Sequence, residues 1–578
     1  MSAHRAGMEL GAAGLQVLIA RLAGVAEEMG EVLQRSAFSP NIKERADCSA
    51  AVFDPQGQLL AQAEHIPVHL GSMPASVEAV ITALGDSMEP GDQAVVNDPF
   101  AGGTHLNDIT IVAPCFVDGD LVGWVANRAH HADVGGTSPG SIPADATEIF
   151  QEGLRLPPVL LSDGVKDIVL ANSRTPLERS GDLAAQVGAN VRGVSRLAEL
   201  AGEPFGAVLE HGRRSCEALL GALPGGEWSA RDVIDSTGPR GEQQRPASIV
   251  VAVRVDSDPV DGAPRITFDF TGTDPQRPGN TNAPLAVTVS AVTFALKCAL
   301  APDLPSNQGA MGPVHVVAPV GTVVNAQAPT AVGAGNVEVS QRIADVCLRA
   351  LGEMVPDRVG GAGQGTMNNV LIGSRSGHLA DDRSENSWVY YETIGGGQGG
   401  WPPRPGGSTR EPGAGMSGVH TGMTNTRNTP IEALEREFPM RVLRYRLRRG
   451  SGGAGAAPGG EGIERDLQVL ADVTVSLITE RRVSHPWGLA GGGPGAVGEN
   501  WLLPGGDESR AERLPDKCTI ELNSGDVLRM LTPGGGGWGR AVRKEGTGWP
   551  PAGSPTRSAS PMPRRSIRSG PTSRGSDR

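Results

Sequence analysis

The segment from Asn97 to Leu160 constrains the fold most, because it encodes a β-hairpin with metal-binding residue types at its open end. Ile109 to Val117 is rich in β-branched residues, and Leu121 to Ala126 supplies a returning strand. Asp118-Gly119 between them is a strong turn signal. An antiparallel hairpin places the start of its first strand beside the end of its second. The residues that flank the hairpin should therefore meet.

The register of this hairpin depends on the length of its turn. A three-residue loop, Asp118 to Asp120, places Asp108 opposite His130, whereas a two-residue turn places Asn107 there. Either register brings His105, Asp108 and His130 into one neighbourhood. Two imidazoles and a carboxylate suit Mn²⁺, Fe²⁺ or Zn²⁺ and leave open positions for a substrate. His-x-x-Asp is a weak motif by itself, and such residues are equally typical of polar surface loops.

Two neighbouring residues leave alternatives open. His131 competes with His130 as a ligand, because adjacent strand residues point to opposite faces. Asp133 would either accept a hydrogen bond from a ligand histidine and fix its tautomer, or cap the following turn.

Three further residues are candidates for substrate contact. His65 and His69 are four residues apart, but Pro67 between them favours extended structure over a helix. We expect one of these histidines to line a substrate cavity or to have a structural role. Arg427, within the polar run Met423 to Pro430, could bind a carboxylate or phosphate with two hydrogen bonds, although Asn and Thr also stabilise turns.

Other patterned segments have a functional and a structural interpretation. Gly395 to Gly400, Pro533 to Gly539 and Gly333 to Arg342 would present backbone N–H groups to an anion, but packing and turn roles are favoured. The sequence GxxxxGK[ST] is absent, so no self-contained ATP site is expected. A charge run of the kind that forms a solvated face consists of Lys43, Glu44, Arg45 and Asp47.

Ordered blocks along the chain carry a family resemblance. They are Ser39 to Met73, Asn97 to Pro114, Ala129 to Gly136, Asn280 to Pro284, Ser340 to Asp345, Met423 to Glu435, Pro486 to Gly492 and Thr532 to Gly539. With these blocks the chain resembles the hydantoinase B/oxoprolinase family, and more distantly the large subunit of acetone and acetophenone carboxylases. It departs from the family at Met311-Gly312, where Arg-Pro is usual, at Pro458, where a basic residue is usual, and after Gly539.

The resemblance implies a function. It identifies the chain as the B-type subunit of an ATP-dependent hydrolase of 5-oxoproline or a hydantoin-like ring, working through a phosphorylated intermediate. It implies a divalent metal on His105, Asp108 and His130, and it alone selects His130 over His131. It further implies an A-type partner that binds ATP and Mg²⁺, hence a hetero-oligomer. The alternatives are an ATP-dependent ketone carboxylase and a non-catalytic assembly subunit.

Composition excludes several other classes of protein. A net charge of −13 argues against nucleic-acid binding, which needs a basic surface. The six cysteines are dispersed without a C-x-x-C pair, as expected in a reducing cytoplasm. We expect no signal peptide and no transmembrane helix, because no apolar run is long enough.

The pattern along the chain predicts a large, multi-lobed α+β protein with antiparallel hairpins, glycine-rich loops and packed helices. Residues 1–235 should form an α+β lobe with the candidate metal site, 236–360 a central α/β lobe, and 361–539 a glycine-rich, strand-dominated lobe. The many glycines, 81 in all, lie within patterned segments, which favours tight turns and close backbone approaches over flexibility. Residues 540–578 should form a disordered basic tail, because they lack large apolar residues. We interpret Arg444 to Gly462 as a long loop and Asp466 to Ile478 as strand.

Overall fold

Helices and four β-sheets make up the part of the chain that the computed structural model describes, residues 11–64, 66–259, 262–375, 387–403 and 411–541. All of these residues belong to one of two compact units, Met1–Ala541. The helices are α1 Ala12–Ser36, α2 Pro40–Lys43, α3 Met73–Leu84, α4 Asp163–Asn172, α5 Pro176–Ala198, α6 Phe205–Gly221, α7 Leu285–Leu300, α8 Gln308–Met311, α9 Ser340–Met354 and α10 Ile431–Glu437.

The strands alternate with these helices along the chain. They are β1 Cys48–Phe53, β2 Leu59–Glu64, β3 Ala94–Val96, β4 Asp108–Val117, β5 Asp120–His130, β6 Val159–Leu160, β7 Gly226–Ile234, β8 Ala247–Asp256, β9 Arg265–Asp269, β10 Val314–Val317, β11 Asn369–Ser374, β12 Val389–Glu392, β13 Met440–Arg448, β14 Gly462–Val469, β15 Val473–Ile478, β16 Glu499–Leu503, β17 Glu512–Leu514, β18 Lys517–Leu522 and β19 Val527–Leu531. This mixture of helices and largely antiparallel strands confirms the predicted α+β class.

The first sheet has the order β2-β1-β5-β4-β3-β6 and is buried on both faces. One face packs against α1 and α5, so Ala50 and Val52 share a core cluster with Leu22 of α1. The opposite face packs against α3, where Ala51 and Phe53 join a second cluster. This alternation follows from strand geometry, because successive side chains point to opposite faces. A sheet covered on both sides holds its strand ends rigidly.

Three more sheets surround the first. The second sheet, β10-β9-β8-β7, packs against α7 and α9, and its β10 runs parallel to β9. The third sheet has the order β12-β11-β15-β18, and the fourth has β13-β14-β19-β16-β17. The third and fourth sheets share one apolar cluster that includes Ile372, Val475 and Leu528.

The glycine-rich segments pack against each other as extended chains, which we call the glycine bundle. Gly400 N donates to Gly536 O at 2.8 Å, and Gly536 N donates to Ala362 O at 2.8 Å. A Cβ added to Gly399 or Gly536 would overlap a neighbouring backbone carbonyl. The bundle consists of residues 360–363, 395–400, 413–419, 451–461, 486–498 and 533–539. The packing interpretation of the two glycine clusters, 395–400 and 533–539, is thereby supported.

Two strand predictions in the C-terminal region were wrong. Residues 444–448 belong to β13 rather than to a loop, which begins at residue 449. The basic residues of β13 pair across the strand, as Arg446 does with Glu464 of β14 at 2.7 Å, so a charged edge strand resembled a loop. The predicted strand Asp466 to Ile478 is split by Leu470 to Asp472, because β14 and β15 belong to different sheets.

The remaining predictions have different outcomes. The helices expected near residues 15–33, 75–84, 285–301 and 337–354 are confirmed, as is the hairpin around residues 54–57. Boundaries near 235 and 360 stay predictions. The predicted tail falls almost entirely outside the described residues, since 542–578 are not among them. Among the helices described, none combines the length and apolarity needed to cross a membrane.

Candidate metal centre

The open end of the β4–β5 hairpin brings three polar side chains together. Asp108 is the first residue of β4, His130 is the last of β5, and the two are directly paired. His105 lies in the turn immediately before β4. All three side chains are at most 3% exposed. The predicted pairing of Asp108 with His130 is therefore confirmed.

This pairing has a different origin from either predicted register. The turn has two residues, Asp118 and Gly119, with φ angles of 52° and 91°. Such a turn alone would place Asn107 opposite His130. A β-bulge between Cys115 and Phe116 shifts the register by one residue and restores Asp108 to that position.

The three side chains converge on one point. His105 Nε2 lies 3.0 Å from Asp108 Oδ1, and His130 Nδ1 lies 3.1 Å from the same oxygen. The two imidazole nitrogens are 3.1 Å apart. All three potential ligand atoms lie within 4.8 Å of one another, as in a site for a single ion. We call this set the His-Asp-His cluster.

Hydrogen bonds around the cluster orient its members. His105 Nδ1 lies 3.2 Å from the carbonyl of Gly333, so it donates there and leaves the lone pair of Nε2 directed at the cluster. Thr104 Oγ1 donates to Asp108 Oδ2 at 2.5 Å. Carbonyl and hydroxyl partners of this kind fix the orientation of metal ligands in proteins.

Asn336 is a site residue that the sequence did not single out. It lies on the π-helical turn Gly335–Val339 that precedes α9, and its Nδ2 is 3.0 Å from His105 Nε2. Its Oδ1 is buried without a hydrogen-bond partner, as is Nε2 of His130. A bound cation would satisfy such lone pairs, so the residues present fit a divalent metal. The segment 333–342 was considered only for its backbone N–H groups.

His69 also belongs to this neighbourhood. It ends the 3-10 turn Pro67–His69, consistent with the expected effect of Pro67. Its Nε2 lies 3.4 Å from Asp108 Oδ2, and its Nδ1 lies 2.9 Å from Ser49 Oγ. His65, its predicted companion, lies outside the described residues.

The solvated-face prediction for the charge run was wrong for two of its residues. Arg45 is 1% exposed and donates from Nη1 to the carbonyl of Tyr391 at 2.7 Å. Asp47 is 7% exposed, and its carbonyl oxygen accepts the backbone N–H of His130 at 3.0 Å. Burial raises the pKa of Asp47 to about 7, while Arg45 opposes the shift and Asp108 adds to it. The tertiary structure thus adds a second carboxyl group beside the cluster.

Burial acts differently on the charges within the cluster. It lowers the pKa of His130 to about 3, so this imidazole is neutral at ordinary pH. The pKa of His105 is raised, because attraction and hydrogen bonding to Asp108 outweigh burial. The pKa of Asp108 lies well below its usual value, since the three neighbouring histidines outweigh burial. The cluster therefore holds a carboxylate and a neutral imidazole, both of which are metal-ligand forms.

Two other predicted residues face away from the cluster. His131 is buried with its Nε2 2.9 Å from Gln186 Oε1 on α5, as the alternation along a strand requires. Asp133 accepts hydrogen bonds from the backbone N–H groups of Gly135 and Gly140, and from Arg174. The turn-stabilising alternative for Asp133 therefore accounts for its carboxylate.

Arg427 is exposed, and its backbone N–H lies 3.5 Å from the carbonyl of Arg45. The polar run around it packs on the Arg45 side of the centre: Thr426 Oγ1 is 2.6 Å from Thr393 Oγ1, which accepts a hydrogen bond from Arg45. A role for Arg427 in binding substrate stays a prediction.

The chain is similar in sequence to several known proteins. The profile of the hydantoinase B/oxoprolinase family matches residues 12–541. An uncharacterised protein of Methanocaldococcus jannaschii is 40% identical, covering 92% of this chain and 91% of its own. 5-Oxoprolinase 1 of Arabidopsis thaliana is 36% identical over 91% of this chain, which spans only 42% of the plant protein. A putative B-type subunit of a D-/L-hydantoinase from a Pseudomonas species is 31% identical, covering 92% and 90% of the two chains.

Two solved structures share the fold. The ATP-dependent caprolactamase of Pseudomonas jessenii superimposes with a TM-score of 0.80 and 26% identity, covering 92% of each chain. A nucleotide-free acetone carboxylase has a TM-score of 0.79 and 19% identity, covering 91% of this chain and 75% of the other. At that identity the second likeness concerns the fold alone.

Proposed function

The chain belongs to the hydantoinase B/oxoprolinase family, and from that premise we propose that it is the B-type subunit of an ATP-dependent hydrolase that opens 5-oxoproline or a hydantoin-like ring. The observation that carries this proposal is the buried His-Asp-His cluster of His105, Asp108 and His130. A relative named 5-oxoprolinase, another named as the B-type component of a hydantoinase, and a structural neighbour named caprolactamase support a cyclic amide as the substrate.

Coupling to ATP follows from the chemistry of amides. An amide carbonyl is a poor electrophile, and transfer of the γ-phosphoryl group to its oxygen produces an activated, imidate-like carbon. Water then adds to that carbon, the ring C–N bond breaks, and the oxygen–phosphorus group leaves as phosphate. ATP and Mg²⁺ would be bound by an A-type partner in a hetero-oligomer, as the name of the hydantoinase relative suggests. We place the complex in the cytoplasm.

The residues of this chain would hold the metal and manage a proton. His105, Asp108 and His130 would bind Mn²⁺, Fe²⁺ or Zn²⁺, which when bound polarises a carbonyl or lowers the pKa of water. Asp47, whose pKa of about 7 suits proton transfer near neutral pH, would either join the ligand set or take a proton from the attacking water. Asn336 would orient His105 and Asp108 through its amide.

The test requires the chain purified together with its A-type partner. We expect ring opening of 5-oxoproline or a hydantoin in proportion to ATP hydrolysis, and loss of both in His105→Ala/Asp108→Ala with the complex still assembled. His131→Gln serves as the matched control, because this buried histidine lies on the opposite face of β5. No ATP-linked ring opening in the wild-type complex would argue strongly against the proposal.

The alternatives give different results in the same preparation. A ketone carboxylase would incorporate labelled bicarbonate into product, and the acetone carboxylase likeness, which concerns the fold alone, gives that outcome less weight. A purely scaffolding role would leave activity unchanged in the double variant. Asp47→Asn separates the two roles of that residue, because a ligand would alter metal content whereas a proton acceptor would alter only the pH profile.

A further inference from the structure

A cavity of about 470 Å³ lies between α3 and α7. Within the described residues, its lining includes none of the three members of the His-Asp-His cluster. Its volume falls in the range of roughly 300–1,000 Å³ that small-molecule sites occupy. The cavity is therefore large enough to bind a ligand of its own.

One stripe of α7 runs along this cavity. Leu285, Val289, Thr293 and Lys297 all line it, and their four-residue spacing places them on one helix face. Twelve residues of helix from the first to the last correspond to about 18 Å. The stripe changes from apolar to hydroxyl to ammonium along that length, so the cavity is elongated and has a polarity gradient.

The other walls reinforce this gradient. Pro74 and Ala75 of α3, with Phe100 and Met311, contribute apolar surface. At the other end, the ammonium group of Lys297 donates to Ser306 Oγ, and both residues line the cavity. Glu78 also lines it, but its side chain is exposed to solvent.

Leu285, at the apolar end, is 44% exposed. An exposed leucine is ordinary by itself, but here it continues an apolar surface into a concave site. An unbranched chain laid against Leu285 and Val289 would remove that surface from water, and its head group would reach Lys297.

We propose that this cavity binds a linear amphiphile with an apolar chain and a carboxylate head. The chain lies along α7 between Leu285 and Thr293. The carboxylate accepts hydrogen bonds from the Lys297 ammonium and the Ser306 hydroxyl, which are the charged and neutral donors at that end. Neither the site nor its ligand depends on the hydrolase function proposed above.

Titration calorimetry of the purified full-length chain with decanoate tests the proposal, with decanol as the probe that lacks the charge. We expect saturable decanoate binding to one site. Lys297→Met keeps the apolar stem and should weaken decanoate binding roughly ten-fold or more, because it removes a charge-assisted hydrogen bond. The same variant should leave decanol binding unchanged.

Two variants test the position of the chain. Val289→Trp should fill the groove and abolish binding, whereas Val191→Trp, at a 60%-exposed position of α5 outside the cavity, should bind as the wild type does. Should Val289→Trp fail to fold, Leu285→Glu places a repelling charge at an exposed position and should weaken binding. Absence of wild-type binding up to the solubility limit, or undiminished binding in folded Val289→Trp or Leu285→Glu, would overturn the proposal. Equal decanoate affinity in Lys297→Met would overturn the assigned head group.

Discussion

Tyr391 lies against His130 with the ring centroids 4.7 Å apart and the ring planes inclined by 27°. The Arg45 guanidinium carbon lies 4.8 Å from the centroid of the same tyrosine ring. The Tyr391 hydroxyl donates to Asn369 Oδ1 at 2.9 Å, and Asn369 Nδ2 donates to Glu338 at 2.7 Å. A residue of the third sheet thus holds a histidine of the first sheet.

Replacing Tyr391 should weaken metal binding without removing a ligand. We expect Tyr391→Leu to lower metal affinity by about ten-fold, the lower end of the effect of changing groups that orient ligands. Tyr391→Phe keeps the ring against His130 and should have a smaller effect. Competition with a chelator measures both affinities. Equal affinity in all three proteins would mean that the tyrosine does not position His130.

The metal content should depend on the cluster and not on its neighbours. Elemental analysis of the purified wild type should find a transition metal in stoichiometric amount, and His105→Ala/Asp108→Ala should lose it, because two of three ligands are gone. The His131→Gln control should retain the metal, since His131 contacts Gln186 instead. A wild type that stays free of metal after supplementation with Mn²⁺, Fe²⁺ and Zn²⁺ would contradict this expectation.

Glu338 should make stability depend on pH. Burial, with added repulsion from Glu480, raises the pKa of Glu338 to about 8 from an ordinary 4.5. The unfolded chain then loses this proton at lower pH than the folded protein does. The stability that the protonated group contributes is complete below about 4.5 and is lost as pH rises through about 8.

Glu338→Gln removes this dependence while resembling the protonated acid. Its Oε1 can still accept from Met367 N and Asn369 Nδ2. Thermal unfolding at several pH values should therefore show the variant gaining stability relative to the wild type between pH 5 and pH 8. A constant difference across that range would show that Glu338 is ionised in the folded protein.

The glycine bundle should not tolerate a side chain. In Gly536→Ala the added Cβ would overlap the carbonyl of Trp487, so we expect a loss of about 1–3 kcal/mol, typical of overpacking. Gly188→Ala is the control, because this glycine lies within α5 with no neighbouring atom within 4 Å of an added Cβ. That change should stabilise by roughly 0.5–1 kcal/mol. Chemical denaturation of both variants measures the difference.

The sequence by itself determined the local parts of the site. Asp118-Gly119 and its flanking strands specified a hairpin, and a hairpin brings residue 108 near residue 130 whatever its turn. Only the packed structure decided the register, because the bulge at Cys115 and Phe116 has no turn-like signature in the sequence.

The tertiary structure also decided which polar residues surround the cluster. Arg45 and Asp47 have the composition of a solvated face, but they are buried because elements distant in sequence pack over them. Asn336 reaches the cluster from a turn more than two hundred residues away. Local patterns report hydrogen-bond and packing preferences along a few residues, whereas burial, pKa shifts and long-range contacts arise only when separate sheets meet.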